Sequence, residues 1–188
     1  MTNDHRVHFS GIQSLPTSVL RDSVRHLLLH YIPKTVSQSI LSASSAVEDL
    51  WIMPVTSTNH LLLPFIGVLP LKRLSCNLKE LFAHKAQIDF GHPLFSRLTH
   101  LELFDQRATD AYLDLTLIPH LTHLSFSIPW FLGISLTLLK TCKSLHILVL
   151  VMVKPGYYSE MAAKHEALGQ LSEDPRFVQM FCPQFVDD

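Results

Sequence analysis

The chain has 188 residues, 47% of them hydrophobic and only 16% charged, with a formal net charge of −1. Soluble domains average about 25% charged residues, so this one is poor in charge for its length. That balance excludes a disordered acidic or basic tail, gives no electrostatic reason to expect nucleic acid, and fits one domain with a sizeable core.

Cys76, Cys142 and Cys182 are too few and too scattered for a disulfide scaffold. The start, Met1 to Arg6, lacks the charged and then apolar order of a signal peptide. Leu50–Leu71 is free of Asp, Glu, Lys and Arg, yet Pro54, Pro64, Pro70 and the polar run Thr56–His60 make it a poor membrane span. These features imply a reduced, intracellular protein, cytoplasmic or nuclear.

In chain order, the pattern apolar-x-x-apolar-x-apolar recurs at Val24-Leu27-Leu29, Val47-Leu50-Ile52, Leu71-Leu74-Cys76, Leu98-Leu101-Leu103, Leu121-Leu124-Phe126 and Leu145-Leu148-Leu150. Successive starts are 23, 24, 27, 23 and 24 residues apart. At this composition one triplet arises at about one position in ten, whereas six in near-constant register do not arise by chance. Leu98-Thr-His-Leu-Glu-Leu103 and Leu121-Thr-His-Leu-Ser-Phe126 are near-duplicates. Pro33, Pro54, Pro129 and Pro155 follow the short strands, where the chain must leave the ladder.

Between the strands, Lys34–Ala43, Ala108–Ile118 and Phe131–Cys142 have helical apolar spacing. A strand, a short crossover helix and a parallel strand, repeated, make a solenoid whose units bury their apolar faces only against neighbours. The predicted fold is a short right-handed α/β solenoid, with a parallel sheet on its concave face and helices on its convex face. Residues 1–23 are an extension or cap, 24–153 hold about six irregular repeats, and 154–188 form a C-terminal cap.

These repeats resemble the leucine-rich repeat family, and more narrowly the irregular repeats that follow an F-box in many fungal proteins. The likeness covers Val24 to Val153, and Asp174-Pro-Arg-Phe-Val178 is similar to a tail motif of that group. It implies protein binding, with the chain as a substrate-recognition arm in ubiquitin ligation. Two departures stand against it. The ninth position of each unit, where the family turns on Asn or Cys, holds Ile32, Val55, Lys79, Gln106, Pro129 and Val153. Leu15–Leu20 is similar to the opening of an F-box, but no three-helix module fits before Val24, so a ubiquitin-ligase adaptor is a partner only if a missing F-box exists.

Strand alternation points the residues between the core positions outward, in three ladders across the sheet. They are His26, Asp49, Arg73, His100, His123, Ile147; then Leu28, Trp51, Ser75, Glu102, Ser125, Val149; then His30, Met53, Asn77, Phe104, Ser127, Val151. The expected partner-binding residues are His26, Trp51, Met53, Arg73, His100, Glu102, Phe104 and His123. Trp51, Met53 and Phe104 are anchors of the kind that cluster at interfaces, unless Trp51 and Met53 pack under the first 23 residues. Asp49 should pair with His26 or Arg73.

No cofactor is implied. His100, Glu102 and His123 offer too few ligands for zinc, and no fourth is evident. Phosphate loops and nucleophile elbows are absent from the sequence. Glu102, Asp105 and Asp110 read as surface carboxylates, Cys76 as core, and Cys142 as packed at a helix end. Lys72, Arg73, Lys140 and Lys143 are too sparse for a nucleic-acid stripe.

At the C-terminus, Tyr158–Leu171 reads as an amphipathic helix and Phe177–Phe181 as a further strand. They either cover the apolar strip Ile147, Val149 and Val151 or leave it sticky. The preferred function is a non-catalytic module that binds a protein through its concave face. The alternatives are a hydrolase-like or metal-dependent enzyme using His100, Glu102 and His123, and a truncated gene product with no selected function.

Overall fold

The computed structural model describes residues 16–53, 62–83, 87–105, 110–126, 131–153 and 162–182. Their backbone forms an α/β, solenoid-like array on one seven-stranded sheet. The strands are β1 (His26–His30), β2 (Asp49–Met53), β3 (Arg73–Cys76), β4 (His100–Leu103), β5 (His123–Phe126), β6 (Ile147–Val153) and β7 (Phe177–Cys182). They lie side by side in chain order and every pair is parallel.

The recurring triplets set the register. Leu27, Leu50, Leu74, Leu101, Leu124 and Leu148 are successive cross-strand neighbours, and Cys76, Leu103, Phe126 and Leu150 form a second row. From Val47 onward every triplet residue is buried, so each unit adds leucine-sized groups that contribute about 1.5–3 kcal/mol apiece. The first triplet departs from this. Leu29 is buried, but Val24 and Leu27 are only half-buried, because β1 is an edge strand.

The connections vary more than the strands. Helix α1 is Thr17–Ser23, and α2 covers the expected Lys34–Ala43 with Ile40 and Leu41 buried. Two single turns, α3 (Leu63–Ile66) and α4 (Leu78–Leu81), follow β2 and β3. Where Ala108–Ile118 was expected to be α-helical, Asp110–Leu117 is a 3-10 segment. Its buried residues Tyr112 and Leu115, with Ile118 beyond, recur every third position, the period of a 3-10 and not an α-helix. Helix α5 spans Leu132–Thr141 and α6 spans Ala162–Ser172.

Helix residues Ile40, Ile66, Leu81, Leu115, Leu138 and Leu171 share one buried cluster with the strand leucines. The helices therefore cover one face of the sheet. Helix α1 packs on α2 and α6 on α5, so both terminal helices join the helical layer and not the open face. The apolar strip is extended by β7 and not roofed by α6.

Asp105 corrects the reading of a surface carboxylate. It is fully buried, and its two oxygens accept hydrogen bonds from the backbone N–H groups of Leu78 and Lys79 at 3.0 and 2.9 Å. A polar group one place before the expected ninth position thus holds the turn of the preceding unit. Asn77 caps the same turn, its Oδ1 accepting from Glu80 N–H at 3.1 Å. Cys76 and Cys142 are buried as expected. Expectations for residues 1–15, Pro54, Val55, Gln106, Ser127, Pro129, Pro155 and Tyr158–Met161 lie outside the described residues.

Candidate functional site on the open face of the sheet

Parallel pairing brings the outward residues into the predicted ladders. His26, Asp49, Arg73, His100, His123 and Ile147 are consecutive neighbours, as are Leu28, Trp51, Ser75, Glu102, Ser125 and Val149. Of the third ladder, His30 pairs with Met53, and Val151 with Met180 of β7.

The face has three zones. Over β1 to β4 lies a ring cluster. Trp51 reaches across the small Ser75 to meet Phe104 edge-on at 5.5 Å and 70°, and its other side meets His30 at 5.5 Å. Trp51, Phe104 and the nearby Met53 are half-buried. Beside them Leu28 is 60% exposed and Tyr31 54% exposed. Tyr31 has φ of 52°, a left-handed conformation that costs a bulky residue energy and places its ring against His30 at 4.3 Å.

The middle zone is polar. One Asp49 oxygen serves both expected partners, His26 Nδ1 at 3.2 Å and the Arg73 guanidinium at 3.6 Å. The Ser75 hydroxyl donates to Glu102 at 2.9 Å. Among the described residues Glu102 has no ion-pair partner. His100 and His123 stack, with centroids 4.1 Å apart and planes 6° from parallel.

Each imidazole is held by the threonine before it. Thr99 Oγ1 lies 2.9 Å from His100 Nδ1, and Thr122 Oγ1 lies 2.8 Å from His123 Nδ1. Both hydroxyls donate to backbone oxygens, of Lys72 and Thr99, at 3.1 Å. With its one hydrogen so used, each hydroxyl accepts from the ring, which assigns the proton of the neutral ring to Nδ1 and leaves Nε2 as a lone-pair acceptor. Burial lowers the His100 pKa, with repulsion from His123 and Arg73 adding and Asp49 opposing.

The third zone is apolar: Val149 and Val151 on β6, then Val178 and Met180 on β7. Met180 is 53% exposed. A groove of about 420 Å³ runs from Asp49 over the histidine pair and Glu102 to Met180. A larger one, about 560 Å³, follows the strand starts from Lys72 to His146 but holds no large apolar anchor.

All eight residues singled out by the sequence lie on this face. Trp51, Phe104, His100 and His123 make mutual ring contacts in two groups, while His100, Glu102 and His123 do not converge as a metal site would require. Stacked rings direct their lone pairs side by side, and among the described residues no cluster of three or more potential ligands is placed to hold a metal. Tyr31, Val178 and Met180 were missed. The alternation of Phe177–Phe181 carried a signal for the last two, whereas the left-handed turn at Tyr31 left none.

Among the described residues no helix is long and apolar enough to cross a membrane. Comparisons with family models, curated proteins and solved structures returned no match for this chain.

Proposed function

We propose that this chain is a non-catalytic, leucine-rich-repeat-like interaction module that binds a protein partner through the open face of its sheet. The carrying observation is one groove with His100, His123 and Glu102 at its polar floor and Val149, Val151 and Met180 at an apolar edge, while the half-buried Trp51, in contact with Phe104, neighbours its lining residue Ser75 on the same face. Large apolar groups around a polar centre are how interface anchors and registering polar contacts are arranged. By its resemblance to F-box repeat proteins the module serves as the substrate-recognition arm of a ubiquitin ligase.

Selection of displayed random peptides on the whole chain tests the binding reading. Selected peptides should lose about tenfold or more in affinity with Trp51→Ala or Val149→Asp, and keep it with Lys140→Ala on the helical layer. Peptides indifferent to both face substitutions would overturn it. Mixing the chain with a purified ubiquitin-ligase adaptor tests the second part separately; failure to co-elute would remove the ligase role alone.

A further inference from the structure

Three groups in the groove keep an open acceptor atom. His100 Nε2 and His123 Nε2 have no hydrogen-bond partner among the described residues, because their Nδ1 atoms take the threonine hydroxyls. Glu102 accepts from Ser75 through one oxygen, leaving the other open. All three are acceptors when the imidazoles are neutral.

The cations nearby are already matched. Arg73 lies 3.6 Å from Asp49, and Lys72 Nζ is 2.6 Å from Glu48. With neutral histidines, Asp49, Arg73 and Glu102 leave the groove one negative charge, and charging one ring cancels it. The groups facing the histidine pair are Asp49 on β2, Arg73 on β3, Glu102 on β4 and His146 before β6, the last with its ring 6.4 Å from His123.

We infer that the groove takes a partner segment bearing a lysine or arginine side chain between apolar residues, the cation pairing with Glu102 beside the histidine pair. This rests on the binding role proposed above and names its partner chemistry. An ammonium or guanidinium supplies only donors, which suits an open carboxylate oxygen, and the flanking apolar residues meet Trp51 on one side and Val149, Val151 and Met180 on the other. Protonation of one ring turns its Nε2 from an acceptor into a donor and adds like charge, so acidification ejects the cation.

The experiment uses the peptides selected on the whole chain at neutral pH, resynthesised with their basic residue intact or replaced by Glu. The expected peptides carry Lys or Arg between apolar residues. They lose about tenfold or more on that replacement, with Glu102→Gln in the chain, and between about pH 7.5 and 5.5. His100→Gln with His123→Gln should flatten the pH dependence while circular dichroism stays unchanged. Selected peptides that need Trp51 but are neutral or acidic, or bind equally at both pH values, overturn this inference and leave the proposed binding role standing. Peptides that ignore both Trp51→Ala and Val149→Asp overturn both.

Discussion

His100 and His123 stack at 4.1 Å because two copies of Leu-Thr-His sit on adjacent parallel strands in register. At that spacing two imidazolium charges repel by about 1–4 kcal/mol between water-like and surface screening, so the pair resists double protonation. Burial first, and this repulsion with it, lowers the His100 pKa below its ordinary value. The unfolded chain takes up that proton first, so the stability contributed by neutral His100 is present above the ordinary histidine pKa and is lost as pH falls through the lowered one. His123→Gln removes the neighbouring charge and should raise the His100 midpoint, read from the imidazole proton resonances. An unchanged midpoint would show that the stacked pair is not coupled.

Asp105 should be the most sensitive polar residue of the fold. It is buried on the acceptor side of two backbone N–H groups, and Asp105→Ala leaves both without a partner, costing about 2–4 kcal/mol. Asp105→Asn keeps one carbonyl acceptor and should cost less. Burial raises the Asp105 pKa despite the opposing Tyr112 hydroxyl and the two N–H donors. That hydroxyl is buried and faces the carboxylate without reaching full hydrogen-bond geometry. The native state binds the proton more readily than the unfolded chain. Relative to Asp105→Asn, the natural protein therefore gains stability as pH falls through the raised value toward the unfolded one. Urea midpoints at about pH 7 and 4.5 check the sign.

Trp51 on β2 and Phe104 just past β4 meet across the intervening strand β3. An edge-on ring pair of this kind couples by about 0.5–1.5 kcal/mol. A double-mutant cycle with Trp51→Ala and Phe104→Ala, followed by thermal denaturation, should return a coupling in that range. Zero coupling would mean that the rings do not meet in solution.

The C-terminal strand is fastened by Arg176. Its guanidinium donates to the Leu139 carbonyl at the end of α5 at 2.5 Å and to both Asp174 oxygens at 2.7 and 2.9 Å. Its own carbonyl accepts from Leu148 N–H at 2.8 Å. Arg176→Ala should lower stability by about 1–3 kcal/mol. The Arg176 side chain holds the Asp174 pKa down, so this contribution is present at neutral pH and is lost as pH falls through the lowered value. A chain ending at Pro155 leaves β6 as a long apolar edge and should aggregate by light scattering; a monodisperse one would refute the capping role of β7.

The sheet was legible in the sequence because its core positions repeat. Leu50, Leu74, Leu101 and Leu124 each need a neighbour one unit away, and that need shows as spacing. The same arithmetic placed His26, Trp51, Arg73, His100, Glu102 and His123 on one face. It could not show what depends on single atoms. Thr99 and Thr122 orient the histidines through one hydroxyl hydrogen each. Asp105 sits one place early and was read as exposed, since a carboxylate's burial follows from its partners and not from its pattern. The turns Leu63–Ile66 and Leu78–Leu81 are too short to carry a period.

The central claim is that the open face is where a protein partner binds. The most direct measurement is an amide chemical-shift map of the whole chain titrated with a selected peptide at neutral pH. The account predicts the largest shifts at Trp51, His100, Glu102, His123, Val149 and Met180, in one continuous track along the groove. Shifts confined to the helical layer, at α2 and α5, would contradict it.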